Sequence, residues 1–463
     1  ILASDLLVRY RIRAEVNATV EKIDTNTKTV SYRKNGTVKI ISYDKLILSQ
    51  GGNPNKVAVE GIEHVPHFSL RLVEDMDAII AQMQEPKSQR VIVVGGGFIG
   101  IELAEAFIQK KLNVTLVEFA PNVMANLDTE FSNLAKETLV VNGVDVRTRT
   151  TIQKVEAGGK ITLSDGSTHT VDFVVFAAGV KPETTLATQM QLQIGKSGGV
   201  VVDEFMQTSN PDVYAVGDMV EIKNRFTGLS TRIPLAGPAN RQGRIAAENI
   251  VWGNKSRYAG ALGSAVVKIF DTTLAFTGLT EKAANELSIE AGTVTIHGNN
   301  HAGYYPNAER ITLKLIFDTK DGRVLGATAF GKEGTEKRID VIATALVGKL
   351  TVYDLATLDL CYAPPYGSAN DVVNVAAFQA INHLSKLSPV VTPAALDANR
   401  ADFNVVDVRI SKERDECKTE CQCAIEVDTL RECLSDVPCD KPVALLCQSG
   451  QRSYIASRIL KQK

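Results

Sequence analysis

The sequence has no long apolar run and no large net charge of either sign. No stretch approaches the ~18–20 consecutive apolar residues that a membrane-spanning helix needs. The N-terminus carries Asp5 and Arg9 and shows no cleavage-site pattern, so we expect no signal peptide there. A net charge of −2 over 463 residues gives no reason to expect nucleic acid or a membrane surface as a partner.

Cysteine is scarce except at the C-terminal end. Cys361 stands alone, and the last 47 residues hold the other six: Cys417, Cys421, Cys423, Cys433, Cys439 and Cys447. A disulfide-stapled secreted domain is rarely this large and otherwise free of cysteine, so we expect a reducing cytoplasm. Four of the clustered thiols could bind a metal, but their spacing matches no common zinc site and the six histidines show no ligand spacing. We predict no metal.

Residues 89–119 carry the pattern of a dinucleotide-binding unit. A short apolar strand leads into Gly95, Gly97 and Gly100, which form G-x-G-x-x-G before a helix. The first glycine allows the tight turn, the second lets a pyrophosphate approach, and the third lets the helix pack closely. A second strand ends at Glu118, whose carboxylate can bind both hydroxyls of an adenosine ribose. A 2′-phosphate would meet a like charge there, so we expect NAD(H) rather than NADP(H).

One strand pattern occurs twice in the chain. Residues 46–54 and 174–182 each place glycine (Gly51, Gly179) sixth and proline ninth, which predicts two nested nucleotide-binding domains of similar build. In the second copy the glycine triplet begins 84 residues before Gly179. The same offset from Gly51 falls upstream of Ile1, so we expect a truncated first domain within a longer reading frame. A chance match of the two segments is the alternative.

The remaining segments give three further predictions. Alternating residues in 1–55 indicate antiparallel strands, with a hairpin turn at Asn35-Gly36. A small-residue strand end precedes Gly217 and Asp218, where the backbone can approach a ligand and the carboxylate can accept hydrogen bonds from a polyol; an ordinary turn aspartate is the alternative. Residues 258–384 read as α+β, and two prolines orient the tyrosines of residues 361–367, which could equally be packed structural residues.

The C-terminal segment predicts a reactive thiol. Short strands at residues 404–409 and 442–446 are followed by Cys447 and then by a helix. A cysteine between a strand and a helix N-terminus lies among backbone N–H dipoles that favour thiolate. Gly450 lets the loop curl around sulfur and Arg452 adds positive charge, which suits a nucleophile that carries a persulfide. A buried inert cysteine is the alternative.

Several motifs together resemble a known family. The segments GGGFIGIELAE, AAGVKPET, TSNPDVYAVGD, PLAGPANRQGR, HAGYYPNAE, EKRIDVIATA and YAPPYGSAND occur in the order seen in coenzyme A-disulfide reductases, a branch of the flavin-dependent pyridine nucleotide–disulfide oxidoreductases. VVDVR and CQSGQRSYIASRIL resemble a rhodanese domain, which usually has Gly-His-Ile-Pro-Gly-Ala where residues 418–423 read KTECQC. The chain therefore resembles the fused reductase–rhodanese type, truncated at both ends.

The resemblance implies a fold and two cofactors. We expect an α/β protein with two nested Rossmann-like domains, one for FAD (residues 1–86 and 203–257) and one for NAD(H) (87–202). An α+β dimerisation domain (258–385) and a partial α/β rhodanese domain (390–463) would follow. The active-site cysteine and the FAD glycine turn of the family are not in this sequence.

The resemblance also implies roles for individual residues. Gly217 and Asp218 would contact FAD, Tyr304 and Tyr362 would reach the cysteine of the partner subunit, and Asn240 lies where the family touches substrate. Cys447 would carry the persulfide. The expected activity is NADH-dependent reduction of coenzyme A disulfide, persulfide or polysulfide by a homodimer. An NADH oxidase or peroxidase, a sulfurtransferase with a nucleotide-binding module, and an inactive fragment are the alternatives.

Overall fold

The computed structural model describes residues 4–462, which fall into two units. Unit 1 holds the residues up to Ala58 together with His67–Gln84 and Val175–Gly263. Unit 2 holds Val59–Pro66, Glu85–Val174 and the residues from Ser264 onward. This division does not separate the four predicted domains, whose boundaries stay predictions. No helix in the described part of the chain is both long and apolar enough to cross a membrane.

Within residues 4–462 the α-helices, in chain order, are α1 Ser4–Arg9, α2 Val73–Gln84, α3 Phe98–Gln109, α4 Thr129–Val141, α5 Thr185–Gln189, α6 Ala236–Trp252, α7 Glu281–Glu286, α8 Thr335–Gly348, α9 Val352–Ala356, α10 Val372–Leu384, α11 Pro393–Ala398, α12 Ser411–Glu416 and α13 Gln451–Leu460. The sequence pattern also predicts helices near 73–83, 238–252, 335–348 and 369–384, and these correspond to α2, α6, α8 and α10.

Over the same residues the strands are β1 Ala18–Asp24, β2 Thr29–Lys34, β3 Thr37–Ser42, β4 Leu46–Leu48, β5 Gly52–Pro54, β6 His67–Ser69, β7 Arg90–Val94, β8 Asn113–Glu118, β9 Asp145–Thr148, β10 Ile152–Glu156, β11 Lys160–Leu163, β12 Thr168–Thr170, β13 Phe173–Phe176, β14 Val180–Pro182, β15 Val200–Val201, β16 Val213–Ala215, β17 Val220–Lys223, β18 Ser230–Thr231, β19 Ala265–Ile269, β20 Thr272–Gly278, β21 Ala291–Asn299, β22 Arg310–Asp318, β23 Val324–Gly331, β24 Asn404–Asp407, β25 Cys423–Ala424 and β26 Val443–Leu446.

Unit 1 begins with the antiparallel sheet β1-β2-β3. Asn35 and Gly36 join β2 to β3 with φ angles of 49° and 76°. Positive φ at both central residues is what a tight hairpin turn matching the strand twist requires. The predicted hairpin is therefore confirmed. Buried apolar residues of this unit, including Leu48, Val213 and Ala246, form one core, to which the parallel strands β4 and β16 contribute.

The two copies of the repeated segment pair with each other in unit 1. β5 and β14 run antiparallel, so that Gly52 lies opposite Pro182. Gly51 and Gly179 both adopt left-handed backbone conformations, with φ of 69° and 82°. Such angles favour glycine because it has no Cβ. The equal positions of the two glycines in the sequence thus correspond to equal backbone turns in the structure.

Unit 2 contains the strands that follow the glycine pattern. β7, β8 and β9 form a parallel ladder, and Ile92 and Leu116 at its centre are fully buried. Burial on both faces explains why these strands are almost wholly apolar. Helix α3 returns the chain from β7 to β8, as a parallel pair requires.

Two more sheets belong to unit 2. The antiparallel sheet β19-β20-β23-β22-β21 is packed against α8 and α10. Its strands β22 and β23 correspond to two strands that the sequence pattern predicts at residues 309–318 and 323–330. Nearer the C-terminus, β25, β24 and β26 form a small parallel sheet. Helix α13 packs beside β26, and its Ser457 hydroxyl lies 3.1 Å from that of Ser388.

Unit 2 also buries one lysine among three carboxylates. Lys314 in β22 has only 3% of its side chain exposed, and its Nζ lies 3.0 Å from Asp128, 2.5 Å from Glu130 and 2.6 Å from Glu281. Burial by itself lowers the pKa of Lys314, but the hydrogen bonds and charges of these carboxylates outweigh it and raise the pKa above its ordinary value of 10.5. The lysine therefore stays charged at neutral pH and links α4, α7 and β22.

Replacing Lys314 with methionine should destabilise the protein. The variant keeps the volume but leaves the buried Asp128 carboxylate without its cation, which costs about 3 kcal/mol. Because folding raises the pKa of Lys314, the wild-type protein should keep the stability from these ion pairs below pH 10.5 and lose it as the pH rises further. The measurement is the urea midpoint at pH 7 and pH 11. Lys320→Met is the control, since the Lys320–Glu290 pair is about 70% exposed. A midpoint for Lys314→Met equal to that of this control would contradict the prediction.

Candidate active site

The glycine turn in unit 2 leaves the start of α3 open. Gly95 follows β7 with φ of 115°, and its N–H donates to the Val117 carbonyl over 2.8 Å. A Cβ built on Gly97 would meet no atom within 4 Å, whereas one on Gly96 would meet Val123 at 3.0 Å. Gly100 is buried within α3. The first N–H groups of a helix have no partner inside it, so this open turn suits an anion.

Glu118 stands at the end of β8, beside the same turn. Its Oε2 accepts a 2.5 Å hydrogen bond from the Gly96 N–H, and its Oε1 accepts one of 2.7 Å from the Ala120 N–H. These bonds orient the half-buried carboxylate. Each oxygen retains a lone pair that can accept a hydroxyl, so the residue can bind a ribose while it supports the glycine turn.

In unit 1, β4 and β16 end side by side at a second glycine turn. Gly217 has φ of 83°, and its N–H donates to Gln242 Oε1 over 2.7 Å. The Asp218 carboxylate is about one quarter exposed and lies 3.8 Å from Arg71. Gln50, which follows β4, has a buried Oε1 with no hydrogen-bond partner among the described residues. This end of the pair thus offers both a carboxylate and an unsatisfied acceptor.

Tyr304 and Tyr362 come together in unit 2. Their hydroxyl oxygens are 3.0 Å apart, although the residues are 58 positions apart in sequence. Tyr304 is 77% exposed and Tyr362 47% exposed. The hydrogen bond to Tyr304 raises the pKa of Tyr362. The Tyr362 phenol is therefore neutral at physiological pH, and the pair can donate a hydrogen bond at the surface.

A buried arginine anchors the loops that carry these tyrosines. Arg338 of α8 donates from Nη2 to the Asn300 carbonyl and to the Asp371 carboxylate, both at 2.7 Å. Asn300 precedes the Tyr304 loop, and Asp371 begins α10 after the Tyr362 loop. The Ala302 N–H also donates directly to the Pro364 carbonyl across 3.2 Å. Sequence reasoning missed Arg338, because nothing in its spacing marks it apart from other helical arginines.

Cys447 lies between β26 and α13, as its sequence position predicted. Its sulfur accepts hydrogen bonds from the N–H groups of Gly450, at 3.1 Å, and Ser453, at 3.4 Å. Burial by itself raises the pKa of this thiol, but the donors at Ser453, Ser449 and Gly450 outweigh it and lower the pKa. Gly450 has φ of 90°, a conformation that favours glycine. The loop therefore stabilises a thiolate through the Ser453 side chain and its main-chain N–H groups.

Arg452 acts on the Cys447 sulfur less directly than the sequence suggested. Its two terminal nitrogens donate to Glu413 over 2.5 and 2.7 Å. This pairing lowers the pKa of Glu413 to about 2, so the ion pair persists at physiological pH. Arg452 thus ties α13 to α12 and influences the sulfur through its charge. Glu413 was missed by sequence reasoning, since a lone glutamate on a short helix carries no signal.

A cavity of about 360 Å³ opens in front of Cys447. Its lining includes Arg409, Glu413, Cys417 and Thr419 as well as Cys447. The Arg409 guanidinium is buried and forms a paired contact with the Asp407 carboxylate, the closest distance being 2.7 Å. The cavity therefore combines a thiolate-stabilising loop with one buried cation.

The predicted residues thus form separate groups. Gly95, Gly97, Gly100 and Glu118 surround one turn of unit 2, Tyr304 and Tyr362 form a pair, and Cys447 and Arg452 share the C-terminal loop. Gly179, Gly217, Asp218 and Asn240 belong to unit 1. Asn240 is exposed on α6, where its amide donates to the Ala236 carbonyl at 3.1 Å.

Residues 6–243 match the pyridine nucleotide-disulphide oxidoreductase family, and residues 264–371 match the dimerisation domain of that family. The first match covers more than half of the chain. The protein therefore belongs to this family of NAD(P)H-dependent flavoprotein oxidoreductases, whose members bind FAD and NAD(P)H.

Known relatives narrow the class further. The chain is 33% identical to the NAD(P)H coenzyme A polysulfide/persulfide reductase of Pyrococcus horikoshii over 366 residues, which are 78% of this chain and 82% of the relative. It is 31% identical to a coenzyme A disulfide reductase of Staphylococcus aureus, over 77% of this chain and 80% of the relative. It is also 35% identical to an NADH oxidase of Methanocaldococcus jannaschii, over 79% of this chain and 82% of the relative.

Two solved structures are similar over nearly the whole chain. Reduced Bacillus anthracis CoADR-RHD matches with a TM-score of 0.97 and 38% identity, covering 100% of this chain and 84% of that chain. A NAD-dependent persulfide reductase from A. fulgidus matches with a TM-score of 0.88 and 36% identity, covering 96% and 82% respectively.

Cys447 should react as a thiolate below the ordinary cysteine pKa of 9.0, because its pKa is lowered by the loop donors. The measurement is the rate of iodoacetamide alkylation between pH 6 and 10, followed for each cysteine peptide by mass spectrometry. The exposed Cys439 is the reference thiol in the same sample. A midpoint for Cys447 at or above 9.0 would contradict the prediction.

Proposed function

We propose that this protein is an NAD(P)H-dependent flavoprotein reductase of coenzyme A disulfide, persulfide or polysulfide. The observation that carries the proposal is the presence, in one chain of this family, of a dinucleotide turn and a cysteine loop built to hold a thiolate. An enzyme that reduces oxygen needs no such cysteine loop. Relatives named as coenzyme A disulfide and persulfide reductases support the same substrate class.

The nicotinamide dinucleotide is assigned to the open turn of unit 2. The N–H groups at the start of α3 would hold its pyrophosphate, and the space over Gly97 leaves room for that close approach. Glu118 would accept the adenosine ribose hydroxyls, which favours NADH over NADPH.

FAD is assigned to the strand ends of unit 1. The orphaned Gln50 Oε1 and the Asp218 carboxylate fit a ligand with several hydroxyl and N–H donors, and the turns at Gly179 and Gly217 permit a close approach. Bound FAD supplies two-electron chemistry between a nicotinamide and a disulfide or persulfide. The residues of this chain bind and orient the two nucleotides for that exchange.

We assign the tyrosine pair to binding of the substrate in a homodimer. The match of residues 264–371 to a dimerisation domain supports the dimer. Tyr304 and Tyr362 would face the redox-active cysteine of the partner subunit and donate hydrogen bonds to the thiolate that leaves a disulfide or persulfide. Arg338 is a positioning residue that holds both loops. Asn240 would contact the substrate from α6.

Residues 390–463 are assigned as a rhodanese-like relay. The parallel sheet β25-β24-β26, the Cys447 loop and the cavity in front of it support a sulfur carrier. The Cys447 thiolate would take a sulfane sulfur, hold it as a persulfide, and pass it to a thiol of the reductase part.

The relay predicts a selective effect of Cys447→Ser in the full-length enzyme. Persulfide reduction should fall roughly a hundredfold, since the nucleophile is lost, whereas NADH oxidation by an artificial quinone acceptor should keep its wild-type rate. Sulfide release and NADH absorbance report the two activities. Cys439→Ser is the matched control on an exposed thiol. Equal losses of both activities in Cys447→Ser would rule out the relay.

An NADH oxidase on the same scaffold is the second candidate, favoured by the relative named as an NADH oxidase. Product analysis separates the two, because an oxidase consumes oxygen and forms water or peroxide, whereas the proposed reductase forms thiol and sulfide. Thiosulfate-to-cyanide transfer without any need for NADH would favour a sulfurtransferase instead. Flavin absorbance in the purified 463-residue chain would count against an inactive fragment.

Two neighbouring glycines should respond differently to alanine. Gly97→Ala should fold with unchanged thermal stability, because its Cβ meets no protein atom within 4 Å. It should bind NADH at least about tenfold more weakly, because the added Cβ occupies the space in which the pyrophosphate approaches the backbone. Gly96→Ala should instead lower the melting temperature, because its Cβ would meet Val123 and Glu118 at 3.0 and 3.2 Å. Fluorescence titration with NADH and a thermal melt measure the two effects. Wild-type affinity in Gly97→Ala would contradict the assignment.

A further inference from the structure

A second thiol lines the cavity of Cys447. Cys417 directly follows α12 and is exposed, whereas Cys447 is half-buried, and both line the 360 Å³ cavity. The volume of the cavity is large enough for a sulfur atom added to a cysteine. Nothing in the proposed relay requires Cys417, so its place on this wall calls for an explanation of its own.

The backbone of Cys417 is anchored on the wall. Its carbonyl accepts a 3.0 Å hydrogen bond from Arg409 Nη2, and its N–H donates to the Glu413 carbonyl at 3.1 Å. Arg409 reaches on to the Thr419 hydroxyl at 3.2 Å. Since Asp407 pairs with the Arg409 guanidinium from the other side, the segment that carries Cys417 is fixed against the sheet.

The loop that carries Cys447 is tied to the helix before Cys417, α12. Arg452, which follows the Cys447 loop, pairs with Glu413 of α12, one turn before Cys417. The two cysteines therefore sit on segments joined by an ion pair. Arg409 also places positive charge beside Cys417: Asp407 chiefly raises the pKa of this guanidinium, and the Cys417 sulfur adds to the rise. The Arg409 guanidinium thus lies close enough to interact with the Cys417 sulfur.

We propose that Cys417 is a second sulfur-carrying residue, which accepts the sulfane sulfur from the Cys447 persulfide and presents it at the surface. This step rests on the proposed role of Cys447. The Cys417 thiolate attacks the outer sulfur, a bond forms between that sulfur and Cys417 Sγ, and its bond to Cys447 Sγ breaks. The hydrogen stays on the outer sulfur and Cys447 leaves as a thiolate.

The transfer needs no oxidant or reductant. One thiolate replaces another, and the moving sulfur keeps its oxidation level. The N–H groups of Gly450 and Ser453 stabilise the departing Cys447 thiolate, and a thiol of low pKa leaves faster in such exchanges. The sulfur moves from a half-buried position to an exposed one, where an external thiol can reach it.

The test loads the full chain with thiosulfate, whose outer sulfur passes to a thiolate with release of sulfite. After quenching with iodoacetamide, mass spectrometry locates the added sulfur. Wild type should carry it on both Cys447 and Cys417, Cys417→Ser on Cys447, and Cys447→Ser on neither. Release to glutathione should slow roughly tenfold in Cys417→Ser and stay unchanged in Cys439→Ser.

The outcomes separate this inference from the proposed function. Added sulfur on Cys447 alone in wild type, with wild-type release from Cys417→Ser, overturns the role of Cys417 and leaves the Cys447 carrier standing. No added sulfur on Cys447 in Cys417→Ser overturns the carrier itself. Labelling of Cys417 in Cys447→Ser at the wild-type rate overturns the order of transfer.

Discussion

Main-chain N–H groups at glycine turns hold negative charge at the chemically active parts of this protein. The turn between β7 and α3 offers such groups beside Glu118, and the loop between β26 and α13 gives two of them to the Cys447 sulfur. Both turns follow a parallel strand and precede a helix, where unpaired donors and the helix dipole coincide. The fold thus supplies anion stabilisation from its main chain.

Side-chain cations have a different task in unit 2. Lys314, Arg338 and Arg452 each pair with at least one carboxylate of a segment that is distant in sequence. Arg409 pairs with Asp407 two residues before it and donates to the Cys417 carbonyl. A buried charge is costly unless it is paired, so these residues define where helices and loops sit. One of these pairs acts beside a group of backbone donors, because Arg452 and Glu413 tie α13, which follows the Cys447 loop, to α12.

Local patterns in the sequence predicted the elements well. Periodicity and turn residues, which involve only a few neighbouring positions, were enough to predict three elements: the strand before Gly95, the Asn35-Gly36 hairpin and helix α6. The tyrosine pair needed the family resemblance, because Tyr304 and Tyr362 are 58 residues apart and meet through loops. The Lys314 and Arg338 networks were not predictable, since only tertiary packing distinguishes a buried cation from an exposed one.

The C-terminal residues show what cysteine spacing alone could not predict. Their clustered cysteines match no common metal site, and the structure brings two of them, Cys417 and Cys447, to one cavity together with Arg409. The family resemblance would place Gly-His-Ile-Pro-Gly-Ala at residues 418–423, where this chain reads KTECQC directly after Cys417. The cavity thus has a second thiol in its lining at the start of a segment that departs from the resembled pattern. That departure is a reason to expect chemistry particular to this chain.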